Sequence, residues 1–453
     1  MEKSHVLDLH PTASATRSPA SQGAPLSKTK SATSAAIGRV ASRRTTRSTT
    51  IPGPPPDGGL QAWTQVACAW LAIMNTWGFV NSFGAFQPYY TSVLPQDAST
   101  ISWIGSTQAC LLFLCGTFSG RALDAGLFHP AIIMGITFQL VGIFTMSVSR
   151  NYWQLLLSQG ICTGIGGGIF FTPVMGLVST YFAKRRGIAI GIVTTGNSAG
   201  GIVYPLIVRQ LLDKLGFGWT VRVLGFVNVV CLMVVFAFMK PRLPPRKAGP
   251  IIDMAAFKDI PYILHVLGTS FLMPATYFAF YYIAAFARDE LDMPYTASLN
   301  LVIILNGIGV PARILPGFIA DSYLGVLNVF FLCVLTNIIL LWAWLGIHTI
   351  PSFYAFTAIY GLAAASFQSL FPTSIAALGD DVMKTGTRLG MAFSTIAFSA
   401  LLGPPIGGAL LRVGEGGGYP AAICWAAAST VGGAILLGMA RGWKHGWGWA
   451  VRC

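Results

Sequence analysis

Residues 221–250 read VRVLGFVNVVCLMVVFAFMKPRLPPRKAGP. Through Met239 the stretch is apolar apart from Arg222 and Asn228. Then Lys240, Arg242, Arg246 and Lys247 arrive together among Pro241, Pro244, Pro245 and Pro250. An apolar run of about 20 residues is what a helix needs to cross the hydrocarbon of a bilayer. The basic, proline-rich segment that ends it cannot continue the helix and belongs in water. This junction sets the reading of the whole chain, because apolar runs of similar length lie on both sides of it.

Before the junction such runs occur near 63–86, 101–119, 130–148, 153–178 and 187–208, with 221–239 the sixth. After it they resume near 263–286, 296–319, 325–346, 352–378, 388–411 and 420–440. The expected fold is an all-α membrane protein with twelve transmembrane helices in two six-helix bundles. The expected layout is a disordered cytosolic tail over 1–56, bundles over 57–240 and 261–440, a cytosolic linker over 241–260 and a short cytosolic tail over 441–453. Ligand sites in such two-part carriers lie near the bilayer midplane, between the repeats.

Composition agrees with this reading. Of 453 residues, 54% are hydrophobic and 10% charged, against roughly a quarter charged in soluble domains. The net charge of +14 does not mark a nucleic-acid protein, because the basic residues form no stripe along a helix. They gather in the N-terminal tail and the short breaks between apolar runs. On alternate sides of the membrane the counts are 22 Lys and Arg against 6, which places both termini in the cytosol. The tail carries Glu2 and Asp8 and lacks the apolar core of a secretory signal. The expected location is a multi-pass position in the plasma membrane, with a vacuolar or other organelle membrane as the alternative.

The candidate site starts from one cation. Arg313 sits inside the eighth apolar run, in NGIGVPARILPG (306–317). A guanidinium at that depth is costly facing lipid, so it needs a polar cavity or an anion, and its planar fork suits a carboxylate. The bland alternative is a contact that only locks two helices. Asn306, seven residues earlier, shares roughly the same face, and Pro311 and Pro316 bracket an irregular helix. Asn81, Tyr277 and Gln368 are further candidates for the solute, each also compatible with helix packing. Asp124, after Gly120-Arg121, and Asp321, after Gly317, end corresponding loops of the two halves. With Arg121, Arg185, Arg186 and Arg388 they are expected to gate the conformational change, the bland alternative for the two aspartates being ordinary solvated loop charge.

Other motifs are quieter. Gly164-Ile-Gly166-Gly167-Gly168 lacks the preceding strand of a phosphate loop and reads as close helix packing. The eight cysteines include no CxxC pair. There is no paired-carboxylate, HExxH or GxSxG constellation, so no catalytic residue, metal or cofactor is expected. His265 has no obvious acidic partner for a proton relay.

Three segments resemble a known family. PDGG (56–59) leading to Trp63, YFAKRRGIAIG (181–191) continuing to Gly196 and Gly200, and GTRLG (386–390) with GPPIGG (403–408) are similar to the major facilitator superfamily. Within it they are similar to the monocarboxylate porters, particularly their fungal branch. The resemblance implies that Arg313 is the eighth-helix arginine that binds a substrate carboxylate. It departs from the family at Gly309, where an acidic residue is usual, at Leu60, where an aromatic is usual, and in lacking the first-helix lysine, with Asn81 in that region. Those departures put lactate–proton symport in doubt. The expected function is alternating-access transport of a small organic solute, a monocarboxylate or related anion. Its partners are that solute and the bilayer, with proton co-transport open. Export of a secondary metabolite is the alternative, and a non-transporting solute sensor a remote one.

Overall fold

A computed structural model describes residues 55–182, 185–243, 252–379, 385–413 and 418–446; of Asp124 and Asp321 it describes only the backbone. The described residues are helical with short connections. In chain order the helices are α1 (Gly59–Asn75), α2 (Trp77–Asn81), α3 (Phe83–Val93), α4 (Ala98–Asp124), α5 (Phe128–Met146), α6 (Tyr152–Leu155), α7 (Thr163–Tyr181) and α8 (Arg186–Phe238). After the linker come α9 (Ile260–Asp289), α10 (Tyr295–Ile319), α11 (Val326–Trp344), α12 (Ile350–Leu378), α13 (Thr385–Leu410) and α14 (Tyr419–His445). Wider π-helical turns join α6 to α7 over Leu156–Cys162 and extend α10 over Ala320–Leu324, and a 3-10 turn over Met254–Lys258 precedes α9. Ten of the described helices are long and apolar enough to cross a membrane.

Two elements differ from the expected runs. The first run is not one helix: it breaks at Thr76 and at Ser82, giving α1, α2 and α3. Buried hydroxyls act at both breaks, Thr76 Oγ1 donating to the Ala72 carbonyl at 2.9 Å and Ser82 Oγ to that of Gly78 at 2.6 Å. Such back-bonding competes with the backbone ladder and bends helices. The fifth and sixth runs, by contrast, fuse into the 53 residues of α8. Within α8, Gly216 has φ 72 and ψ 171, a conformation open to glycine because it has no Cβ. The chain turns there.

Packing repeats between the parts before and after the linker. α4 packs on α7 as α10 packs on α12, and α5 contacts α7 and α8 as α11 contacts α12 and α14. α1 lies along α8 as α9 lies along α14. Small residues allow the close approaches, since helices in lipid associate through tight contact rather than by expelling water. Gly196 and Gly200 of α8 face the backbone of Trp70 and Met74, and Gly78 faces Gly200. In the glycine run of α7, Gly164 and Gly168 face α4 while Gly166 faces Gly135 and Gln139 of α5. Any side chain there would force the helices apart. Across the linker, α4 packs on α13 and α8 on α10. With α3 packed on α9, these pairs form the seam between the sequence halves.

Candidate functional site

Arg313 lies on this seam and is 7% exposed. Its Nε donates to Ser198 Oγ of α8 at 3.2 Å, and its Nη2 donates to Gln368 Oε1 of α12 at 3.2 Å. The Asn197 amide is oriented by its neighbours. With the oxygen toward the guanidinium, it accepts from Arg313 Nη2 at 2.8 Å and from Asn81 Nδ2 at 3.3 Å, while its nitrogen donates to the Trp77 carbonyl at 3.1 Å. One side chain of α10 thus gathers groups from α2, α8 and α12.

Every partner in this set is neutral. Among the described residues no carboxylate comes within ion-pair distance of Arg313. A buried cation held only by dipoles is incompletely compensated, and Arg313 Nη1 has no hydrogen-bond acceptor among the described residues. Tyr277 of α9 is within electrostatic reach of the guanidinium. Gly309, one turn before Arg313, lets Ser198 come close: a Cβ there would stand 2.7 Å from Ser198 Oγ and 3.4 Å from the Ala365 methyl.

The structure therefore brings Arg313, Asn81 and Gln368 together, with Tyr277 beside them. Asn306 is on the same α8–α10 seam but two turns away. Its Nδ2 donates to the Val302 carbonyl at 2.9 Å, and its amide fills the space opposite Gly201. Asn197 and Ser198 were not singled out from the sequence, although they stand between Gly196 and Gly200 of a quoted motif. A polar pair framed by packing glycines is the signal that marks them.

Aromatic rings flank the polar cluster. On one side Trp77 meets Phe113 at 4.6 Å and Phe171 at 5.6 Å, and Phe113 meets Phe393 of α13 at 5.4 Å. On the other, Tyr277 and Tyr281 of α9 are 6.1 Å apart, and Tyr281 meets Phe83 at 4.6 Å. A cation edged by rings suits an anion with an apolar or aromatic body.

The seam has two ends. At one, Ser99 Oγ donates to the Pro405 carbonyl at 2.7 Å, and Tyr282 Oη to that of Ala98 at 3.1 Å. Arg288 Nη1 donates to the Pro88 carbonyl at 3.0 Å, and Tyr295 Oη to that of Ala85 at 2.9 Å. Arg209 donates to Asn300 Oδ1, and Arg412 pairs with Asp97 at 3.3 Å. Gly84 and Gly408 bring the backbones of Phe280 and Ser99 close. At the other end the described polar links are Thr117 Oγ1 to the Gly390 carbonyl at 3.0 Å and Ser394 Oγ to Thr117 Oγ1 at 3.2 Å.

The expected gating residues are distributed around that second end. Arg185 and Arg186 are exposed, and neither they nor Arg121 form an ion pair among the described residues. Lys184 and the side chains of Asp124 and Asp321 lie outside those residues. Arg388 has a clear set of partners, in the end of the linker and the start of α9. Its Nε meets Asp253 Oδ2 at 3.2 Å and its Nη1 meets Asp259 Oδ2 at 2.6 Å, while Tyr262 Oη donates to its carbonyl at 2.7 Å. It clasps the descending end of the linker to the start of α13. His265 shares a 2.7 Å hydrogen bond with Ser374 Oγ. Arg441, placed by the sequence in the tail, is instead a buried residue of α14, 6% exposed, donating to Asn328 Oδ1 at 2.5 Å.

The sequence comparisons supply the family. Residues 67–336 match the family model described as Major Facilitator Superfamily. The chain belongs to the major facilitator superfamily. It is similar to an MFS-type transporter of Gibberella zeae, 44% identical over 85% of this chain and 87% of that protein. It is also similar to a protein of Gibberella fujikuroi named Fujikurins efflux protein, 32% identical over 85% of this chain and 83% of the relative. An Aspyridones efflux protein of Emericella nidulans is 30% identical over 84% of this chain and 78% of its own length. The protein is a multi-pass membrane transporter of this superfamily.

Proposed function

We propose that this transporter exports an organic anion of the cell's own metabolism by alternating access, with Arg313 as the anion anchor. The observation that carries the proposal is the guanidinium at the seam, held from both halves by neutral groups alone. A carboxylate arriving there would supply the missing charge and compete for the donors that now reach across to Asn197 and Ser198. Binding would thereby release a cross-seam contact, which couples occupancy to movement. The names of the Gibberella fujikuroi and Emericella nidulans relatives support export over uptake.

In this proposal there are twelve spans in two six-helix bundles. Ten are the long helices; the broken α1–α3 run supplies another, and the turn at Gly216 divides α8 into two. The repeated packing supports the division into bundles. The arginine distribution orients the end carrying Arg121, Arg185 and Arg388 toward the cytosol, with both termini there and the plasma membrane as the site of action. The monocarboxylate-porter resemblance is retained for the role of Arg313. At Gly309 the space that an acidic side chain would need is occupied by Ser198.

The test is transport of a panel of aromatic and aliphatic carboxylates by purified protein in liposomes, with and without a pH gradient. Arg313→Ala removes hydrogen bonds to a charged group worth about 1.5–3 kcal/mol each, so carboxylate transport should fall roughly tenfold or more. Arg313→Lys should not restore it, because an ammonium lacks the planar fork. Unchanged transport by well-folded Arg313→Ala protein would overturn the assignment.

A further inference from the structure

The break in the first run is held by side chains from two other helices. α1 ends at Asn75 and α2 starts at Trp77. The last carbonyls of a helix have no partner within it, and inside a membrane each must find one in the protein. The Asn75 carbonyl finds Gln139 of α5, whose Nε2 donates to it at 3.0 Å. The Asn75 side chain is tied as well. Its Oδ1 accepts from Tyr204 Oη of α8 at 2.8 Å, and its Nδ2 donates back to the Leu71 carbonyl at 2.6 Å. Tyr204 Oη in turn accepts from Asn228 Nδ2 at 3.1 Å, beyond the turn at Gly216. All four side chains are buried.

The surroundings are shaped for this reach. A Cβ at Gly166 of α7 would stand 2.5 Å from the Gln139 backbone nitrogen, and one at Gly167 would stand 3.4 Å from the Thr76 methyl and 3.7 Å from Gln139 Oε1. The glycine run of α7 thus leaves Gln139 its way to α1. On the other side, the Tyr204 ring meets the Phe79 ring of α2 edge-on at 5.5 Å. Tyr204 therefore touches both sides of the break, Asn75 through its hydroxyl and Phe79 through its ring.

α2 is the element that serves the anion site. Its Trp77 carbonyl accepts from the Asn197 nitrogen, and Asn81 Nδ2 donates to the Asn197 oxygen that faces Arg313. A helix of five residues does not hold itself, so tertiary contacts set its direction. Asn197 and Tyr204 are seven residues apart and share one face of α8.

We infer that Gln139, Asn75 and Tyr204 are positioning residues for the Arg313 site. They hold the break, the break aims α2, and α2 orients the Asn197 amide toward the guanidinium. None of the three hydrogen-bonds to Arg313 itself. Their use in transport rests on the anion-anchor reading proposed above; their hold on α2 does not.

The experiment is a mutant cycle on the purified full-length protein in detergent, without ligand. Asn81→Ala removes the α2 contact with Asn197 and should lower the melting temperature. Gln139→Met and, separately, Tyr204→Phe take away hydrogen bonds at the break with little change in volume. In either background the further loss from Asn81→Ala should be roughly halved or less, because residues without a shared contact add unless something couples them. Ser374→Ala is the control: it removes the buried 2.7 Å hydrogen bond with His265 in the second half and should leave the Asn81→Ala loss at full size. Benzoate then probes the anion site in liposomes. Its KM should rise severalfold in Gln139→Met and Tyr204→Phe and stay at the parent value in Ser374→Ala. Additive losses in both variants, or a benzoate KM that neither changes, would overturn the positioning role. Benzoate transport insensitive to Arg313→Ala, with the ligand-free cycle still coupled, would instead overturn the anchor reading and leave the hold on α2 standing.

Discussion

At the end of the seam marked by Arg209, Arg288 and Arg412, the two halves are joined by hydroxyls and guanidiniums that reach mostly into backbone carbonyls. At the end marked by Thr117 and Gly390, the described polar joins are hydroxyl contacts around a single threonine, beside the Phe113–Phe393 ring pair. Among the described residues, the first end carries more cross-seam polar links than the second. The first end owes its closeness to glycines placed opposite backbone, and its polar links follow from that closeness. The second end carries Arg121, Arg185 and Arg186, which form no ion pair among the described residues. Among the described residues, the polar links across the seam are thus concentrated on one side of Arg313.

Gly408→Val strikes hardest at this difference. A Cβ at Gly408 collides with Tyr282 Oη and comes 2.7 Å from the Ser99 backbone. Overpacking of that kind costs about 1–3 kcal/mol and should shift the population away from closure roughly tenfold or more. Transport should fall correspondingly, and spin labels on Val93→Cys and Val413→Cys should move apart in a cysteine-free background. If the label distance stays as in the parent protein, closure of this end does not depend on glycine packing.

A smaller effect is expected from Tyr295→Phe, which removes one hydrogen bond to the Ala85 carbonyl worth about 0.5–1.5 kcal/mol. The same label pair should show roughly a two- to tenfold larger open fraction. Thr117→Val removes a comparable bond at the other end and should leave that fraction unchanged. Equal responses to the two substitutions would erase the contrast between the ends.

The smallest effect belongs to pH. Burial acts to raise the Asp97 carboxyl, but the Thr100 hydroxyl at 2.5 Å, the Arg412 guanidinium and backbone amides outweigh it and hold the group below the usual carboxylate range. A carboxyl lowered in the folded state contributes above its unfolded pKa, and that contribution is lost as pH falls through the folded value. Acidification below the usual carboxylate range should therefore loosen the first end slightly. Arg412→Gln should shrink the change, and an undiminished response in that variant would exclude the pair as its source.

The apolar runs, the basic linker and Arg313 were legible because a bilayer penalises every departure from apolar helix, and those departures stand out along a single chain. The site was legible only on its own helix. Asn197 and Ser198 reach Arg313 from far away in sequence, and no periodicity on α8 announces that a cation waits opposite. The polar links of the first end were hidden for a simpler reason. Their acceptors at Ala85, Pro88, Ala98 and Pro405 are main-chain carbonyls, which every residue has. The break at Thr76 and Ser82 left a trace in the polar residues of the first run, but their hydroxyls could equally have faced a cavity.

The clasp at Arg388 also governs distance. Arg242 Nη1 donates to the Thr180 carbonyl at 2.9 Å, so the linker is moored on the first half at that point. Asp253 is moored to Arg388 on the second. The leash between moorings is about eleven residues and spans at most roughly 36–40 Å when fully drawn out. The Asp253 backbone N–H also donates to Met391 Sδ at 3.3 Å, so the second mooring on α13 has more than one point. The stroke of the carrier on its linker side is thus bounded by where Arg388 and Met391 tie the cord.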